Sequence, residues 1–248
     1  MIFDALKMSV GTLTTIRVPA PGVIDRRVAG AAMVLAPLAV VPLAAVAGLI
    51  VFAGEAIGLP AFASAALALG AVALGSRGLH LDGLADTADG LGASYDRTRA
   101  LEVMRRGDSG PTGIATLVLV LLVQTGALAG AISAGHGTAA AAIAVLAGRG
   151  VLSLCCSRGV PSARPEGLGA TVAGAVPVAA AVVVFAVLAG SAALAVPWWR
   201  GLVAVALAYL AASALLARCV QRLGGITGDV LGGCVEIGVA AALLALSF

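Results

Sequence analysis

Charge is scarce in this chain. Only 11% of its 248 residues are Asp, Glu, Lys or Arg, where a soluble domain carries about 25%. So few polar side chains could not cover the surface of a water-soluble fold. Aromatic residues are scarce too, at 4%, which argues against a β-barrel with aromatic girdles at its interfaces. The four cysteines, Cys155, Cys156, Cys219 and Cys234, have no CxxC spacing and lie in or beside apolar runs. They read as inert packing thiols, neither metal ligands nor a disulfide framework. No cleavable leader pattern is present: Asp4, Asp25 and several basic residues precede the first apolar run, which is too long for a signal-peptide core.

What fills the chain instead is apolar. Hydrophobic residues make up 61% and the mean hydropathy is +1.10, so the fold needs lipid as its solvent. The 33 glycines let helix backbones approach closely in such a solvent. The length leaves no room for a sizeable soluble domain, and residues 1–248 read as one integral membrane unit. A crossing helix needs about 20 mostly apolar residues, and seven segments meet or nearly meet this: 28–53, 59–76, 113–134, 138–156, 171–196, 201–217 and 230–247. Strand-like alternation does not recur, so the expectation is an all-α polytopic bundle of about seven spans. Pro37 and Pro42 predict a kink in the first.

Basic residues set the expected orientation. With the N-terminus inside, fourteen of the fifteen fall in cytoplasmic segments, Arg149 among them, and Arg200 beside Trp198 and Trp199 is the exception. This predicts an inside N-terminus, an outside C-terminus, a cytoplasmic segment at 1–27 and a larger one at 77–112. The acidic residues share the bias, apart from Glu55 and Glu236. A mixed-charge face on one side suggests a site.

The sharpest motif is HLDGLADTADGLGASYD, His80 to Asp96. Asp82, Asp86 and Asp89 follow i, i+4, i+7 spacing, within about 60° of one helix face. Carboxylates about 5–6 Å apart repel one another. A divalent cation removes the conflict, and Mg²⁺ characteristically uses one or two carboxylates together with substrate phosphates. A merely solvated acidic face would carry Lys and Glu; here the aspartates alternate with Leu81, Leu84, Ala85, Ala88 and Leu91.

A second cluster is RLGGITGDVLGGCVEIG, Arg222 to Gly238. Asp229 and Glu236 share a face of the last expected helix, and a carboxylate within a span is costly unless it has work to do. The competing reading of Glu236 is a partner for an arginine on another helix. Arg17, Arg97, Arg164 and Arg222 are candidates for substrate phosphates, against the plainer roles of topology and lipid headgroups. His80 is a candidate ligand or general base, against an interfacial role.

These residues resemble a known family. HLDGLADTADG, followed by EVM at 102–104 and GPTG at 110–113, is similar to the adenosylcobinamide-GDP ribazoletransferases, or cobalamin-5'-phosphate synthases. TTIRVPAP at 14–21, SARPEGLGA at 162–170 and GGITGDVLGGCVE at 224–236 resemble further family segments in the right order. One departure stands out: Asp108-Ser109 lies two positions later than the family's Asp-Ser after the methionine.

The resemblance implies transfer of the adenosylcobinamide phosphate group from adenosylcobinamide-GDP to α-ribazole or its 5'-phosphate, with release of GMP. It implies Mg²⁺ held by Asp82, Asp86 and Asp89, support from Asp229 and Glu236, and arginines on the nucleotide. The setting is the inner cell membrane with the site facing the cytoplasm. Nucleic acid is not an expected partner, and self-association is left open. Two other readings compete. A CDP-alcohol phosphotransferase would carry an Asp-Gly-x-x-Ala-Arg element, but here Ala85 precedes Asp86. A metal ion transporter would spread its acids near the midplane of several helices, whereas these gather at one face.

Overall fold

The computed structural model describes residues 1–248 and is helical throughout. In chain order the helices are α1 (Ile2–Leu13), α2 (Arg26–Val34), α3 (Ala36–Ala39), α4 (Val41–Ala56), α5 (Ala61–Gly75), α6 (Leu79–Ala93) and α7 (Arg97–Val103). They continue with α8 (Pro111–Ser133), α9 (Gly137–Cys155), α10 (Leu168–Val172), α11 (Val178–Ala195), α12 (Trp198–Leu223) and α13 (Gly228–Leu246). No strand forms; the only β contacts are isolated bridges, Ser157 with Val176 and Ser162 with Ile226.

Five helices, α8, α9, α11, α12 and α13, are long and apolar enough to cross a membrane, and a sixth crossing is reached only if α5 and α6 are counted as one. The expected count of seven is therefore not met by length and composition. The shortfall lies in the first two segments. The first expected span is cut into α2, α3 and α4, with Pro37 and Pro42 in the opening turns of α3 and α4. Proline fits a first turn, where its missing N–H has no partner to lose, but cannot continue the preceding helix. The second, α5, has 15 residues. The expected sixth segment, by contrast, is longer than anticipated, a 26-residue helix from Trp198 to Leu223.

α13 is the hub of the bundle, packing against α12, α6, α9 and α8. Thr227 caps its start, the side chain accepting from Val230 N–H at 3.2 Å. Gly224, at φ +80°, ends α12 in the left-handed region, where glycine carries no Cβ penalty. Gly225 lets the central loop lie against this junction, since a Cβ there would fall 2.7 Å from Ala163 N. Ala163 N–H bonds Ile226 O, and Ile226 N–H bonds Pro161 O, both at 2.9 Å. The segment 161–169 is thereby tied to the start of α13.

The corner between α5 and α6 positions the acidic motif. The two helices meet at 89°, and the turn is made by Arg77 and Gly78, both at positive φ. A non-glycine residue in that region is strained. Arg77 is held there by its own guanidinium, which donates to Gly11 O at 2.7 Å and Thr12 O at 3.3 Å. As a result α6 lies across the end of the bundle where α8 and α13 begin. A Cβ on Gly83 would come within 2.7 Å of Asp229 O, and one on Gly232 within 3.1 Å of His80 Cα. Glycine at both positions allows this backbone-to-backbone crossing.

Candidate active site

Where α6 crosses the start of α13, a cleft of about 280 Å³ opens. Asp82 on α6, Asp229 on α13, and Arg164 and Glu166 in the central loop supply its charged groups. Its apolar lining comes from Leu13, Met33, Leu79, Leu152, Leu168 and Leu231. Asp229 accepts from Thr227 Oγ1 at 3.1 Å and lies 3.6 Å from the Arg164 guanidinium. Arg164 is also held by Leu101 O, to which it donates at 2.9 Å. Sequence spacing alone did not link residues 164 and 229; the loop tie to α13 brings them together.

The three aspartates of α6 divide their work. Asp82 is exposed at the cleft and has no partner in the protein. Asp86 is half-buried, and its carboxyl is pushed up to about 6, first by burial and then by Asp82, Asp229 and Asp89. Asp89 is buried and spent on the fold: its two oxygens accept from Gly110 N–H at 2.7 Å and Gly113 N–H at 2.8 Å. It caps the start of α8, satisfying amides that have no helical partner. Gly113 must lack a side chain here, because a Cβ would collide with the Asp89 carboxylate.

No three His, Cys, Asp or Glu side chains converge closely enough to hold a metal ion by themselves. Mg²⁺ characteristically takes one or two carboxylates and completes its shell with substrate phosphates. The donor set fits: Asp82, Asp86 and Asp229 act on one another electrostatically, and Asp82 is open to the cleft.

His80, which also lines the cleft, is tied to a buried polar group that includes Glu236. Arg149 on α9, 1% exposed, donates to His80 Nδ1 at 3.2 Å. Arginine can only donate, so Nδ1 accepts and the ring is the neutral Nε2–H form. That Nε2 is buried without a partner. Glu236, also buried, accepts through Oε2 from Gln124 Nε2 at 2.9 Å, and its charge acts on Arg149. The charge pattern assigns Arg149 to a cytoplasmic segment, whereas the structure makes it a core cation within α9. An arginine flanked by AVLAG and GVLSL was the available signal, as was Gln124 in the apolar run of α8.

The remaining arginines differ in role. Arg17 is exposed in the loop after α1. Arg97 donates to Leu223 O at 2.7 Å and Ala163 O at 2.9 Å. Arg222 donates to Ser94 O at 2.6 Å and stacks on Tyr95 at 4.1 Å. These last two staple the segment between α6 and α7 to the end of α12. Asp108 is exposed in the turn before α8 and makes no hydrogen bond or ion pair.

A multi-helix bundle with carboxylates and an arginine converging on a cleft at one end has the make-up of a membrane transferase acting on phosphorylated substrates. The family model for cobalamin-5-phosphate synthase matches residues 5–247. The chain is 44% identical over 242 residues to an adenosylcobinamide-GDP ribazoletransferase of Nocardioides sp., covering 98% of this chain and 97% of that one. It is 42% identical over 253 residues to an enzyme of the same name from Frankia casuarinae, covering 95% and 91%. A third, from Pseudomonas fluorescens, is 41% identical over 194 residues, 77% of each chain. No solved structure matches. The chain belongs to the cobalamin-5-phosphate synthase family, transferases of cobalamin biosynthesis.

Proposed function

We propose that this chain transfers the adenosylcobinamide phosphate group of adenosylcobinamide-GDP to α-ribazole or its 5'-phosphate and releases GMP, in a Mg²⁺-dependent reaction. The observation that carries this reading is the cleft itself, lined by carboxylates of two crossing helices, by Arg164 of the central loop and by six apolar side chains. The apolar lining suits the aromatic base of the acceptor, and the charged groups suit the diphosphate.

Asp82, Asp86 and Asp229 would hold the ion, and bound Mg²⁺ would supply charge stabilisation to the phosphate oxygens. Asp229 orients the acceptor, whose hydroxyl oxygen forms a bond to the cobinamide-side phosphorus. The bond from that phosphorus to the bridging oxygen breaks, and its electron pair leaves on GMP. The hydroxyl proton passes to a carboxylate of the cleft and then to water. Arg164 holds a phosphate oxygen while Leu101 O and Asp229 fix its guanidinium. Asp89, His80 and Glu236 act as positioning residues, holding α6 against α8, α9 and α13.

The test is incubation of purified protein with adenosylcobinamide-GDP and α-ribazole, with and without Mg²⁺. Stoichiometric GMP and corrinoid product in the Mg²⁺ arm alone is expected. CDP-alcohol turnover in place of this, or Mg²⁺ flux into vesicles without GMP release, would replace the reading by one of its two rivals.

The connectivity supports seven crossings in the inner membrane, with α2 to α4 as one broken crossing and α5 as a short one of about 22 Å at 1.5 Å per residue. The cleft, α1, α6 and α7 then face the cytoplasm and the C-terminus lies outside. A reporter fused after Phe248 and active only in the cytoplasm should be silent. A strong signal would mean that only one of α4 and α5 crosses.

A further inference from the structure

Beside the acidic cleft lies a second one, of about 300 Å³, with the opposite charge. Arg97, Thr98, Leu101 and Glu102 of α7, Arg105 just beyond it, and Arg164 from the central loop line it. Three arginines against one glutamate give it a net charge of about +2, whereas Asp82, Glu166 and Asp229 against Arg164 give the first cleft about −2. Arg164 lines both: its guanidinium lies 3.6 Å from Asp229 in the first and donates to Leu101 O at 2.9 Å in the second.

Donors remain free in the second cleft. Arg97 uses Nε–H and one terminal N–H on Leu223 O and Ala163 O, which leaves three of its five N–H groups. Arg105 is exposed and its side chain makes no hydrogen bond or ion pair. Arginine forks recognise phosphate oxygens in pairs. A lipid-headgroup role is disfavoured by the lining, because only Leu101, Ala163 and Pro165 are non-polar and no long apolar floor is present to take an acyl chain.

We propose that this basic cleft is the leaving-group site, holding the phosphate of the departing nucleoside monophosphate while the acidic cleft holds the phosphate being transferred. The inference rests on the reaction proposed above. When the bond between phosphorus and the bridging oxygen breaks, the electron pair moves to the nucleotide, whose phosphate gains a negative charge. That charge develops toward Arg97, Arg105 and Arg164, against the single carboxylate of Glu102. Preorganised donors aimed at developing charge stabilise the transition state, and the three arginines of the second cleft draw the leaving dianion away from Asp82 and Asp229.

The experiment is product inhibition by GMP and direct GMP binding, using full-length protein in detergent or nanodiscs. Arg105→Gln is expected to weaken GMP inhibition and binding by about tenfold, with the Mg²⁺ concentration for half-maximal rate unchanged. Arg105→Lys should recover part of the loss. Arg158→Gln, an exposed arginine outside both clefts, should match the wild type, which separates a phosphate site from a general loss of surface charge. Inorganic phosphate should compete weakly with GMP in the wild type. If the wild type turns over but Arg105→Gln keeps wild-type GMP inhibition and binding, the cleft assignment is overturned and the reaction stands. If wild-type protein releases no GMP from the corrinoid donor, both fall.

Discussion

Asp82→Asn and Asp86→Asn are each expected to lower turnover by about 10²–10³-fold, the usual size for loss of one preorganised electrostatic group, with insertion and yield near normal. The structure separates these two from the third aspartate. Asp82 stands open in the cleft without a protein partner, so removing its charge leaves no donor stranded. Asp86 is held up near 6 by burial and its acidic neighbours, a conflict that a bound cation relieves, so its amide should fold at least as well. Asp89→Asn is a different experiment. It replaces a carboxylate that accepts two α8 amides at 2.7 and 2.8 Å, and should lower stability together with activity. EDTA should abolish wild-type turnover and added Mg²⁺ restore it. The measurement is initial rate per folded molecule, with melting temperature alongside. Full activity in both Asp82→Asn and Asp86→Asn would remove these residues from the site.

Glu236→Gln is expected to act on folding. Its carboxylate is buried, bonded to Gln124, and supplies the negative charge that acts on buried Arg149. Stranding one buried charge costs about 3–5 kcal/mol, enough to deplete folded protein when total stability is itself about 5–15 kcal/mol. The double variant Arg149→Gln with Glu236→Gln should recover much of the yield, because neither charge is then left alone. Turnover per folded molecule in Glu236→Gln should stay within a few-fold of wild type. Normal yield with lost turnover would instead place Glu236 among the reacting groups.

The helical class, the membrane environment and the acidic motif were all legible in the residues. Shortage of charge and excess of apolar side chains leave lipid as the only compatible solvent, and i, i+4, i+7 spacing puts Asp82, Asp86 and Asp89 on one helix face wherever that helix lies. The prolines at 37 and 42 marked where the first long apolar run would break, because a missing N–H acts within a single turn. Arg97 and Arg222 show the limit of such reading. Their composition and position suited phosphate, but the carbonyls of Leu223, Ala163 and Ser94 take part of their donor capacity.

Hydropathy and spacing are properties of a segment, and so the sequence by itself determined an all-helical membrane chain with aspartates gathered on α6. Which aspartate reaches substrate depends on what crosses it. Only the packed structure turns α6 by 89° at Arg77 and Gly78, lays Gly83 on Asp229, and commits Asp89 to the start of α8. Only packing brings Arg164 within 3.6 Å of Asp229, sinks Arg149 against His80 and sets Glu236 on Gln124. Those pairings join residues far apart in the chain, and a backbone close approach or a buried hydrogen bond leaves no periodic trace in sequence.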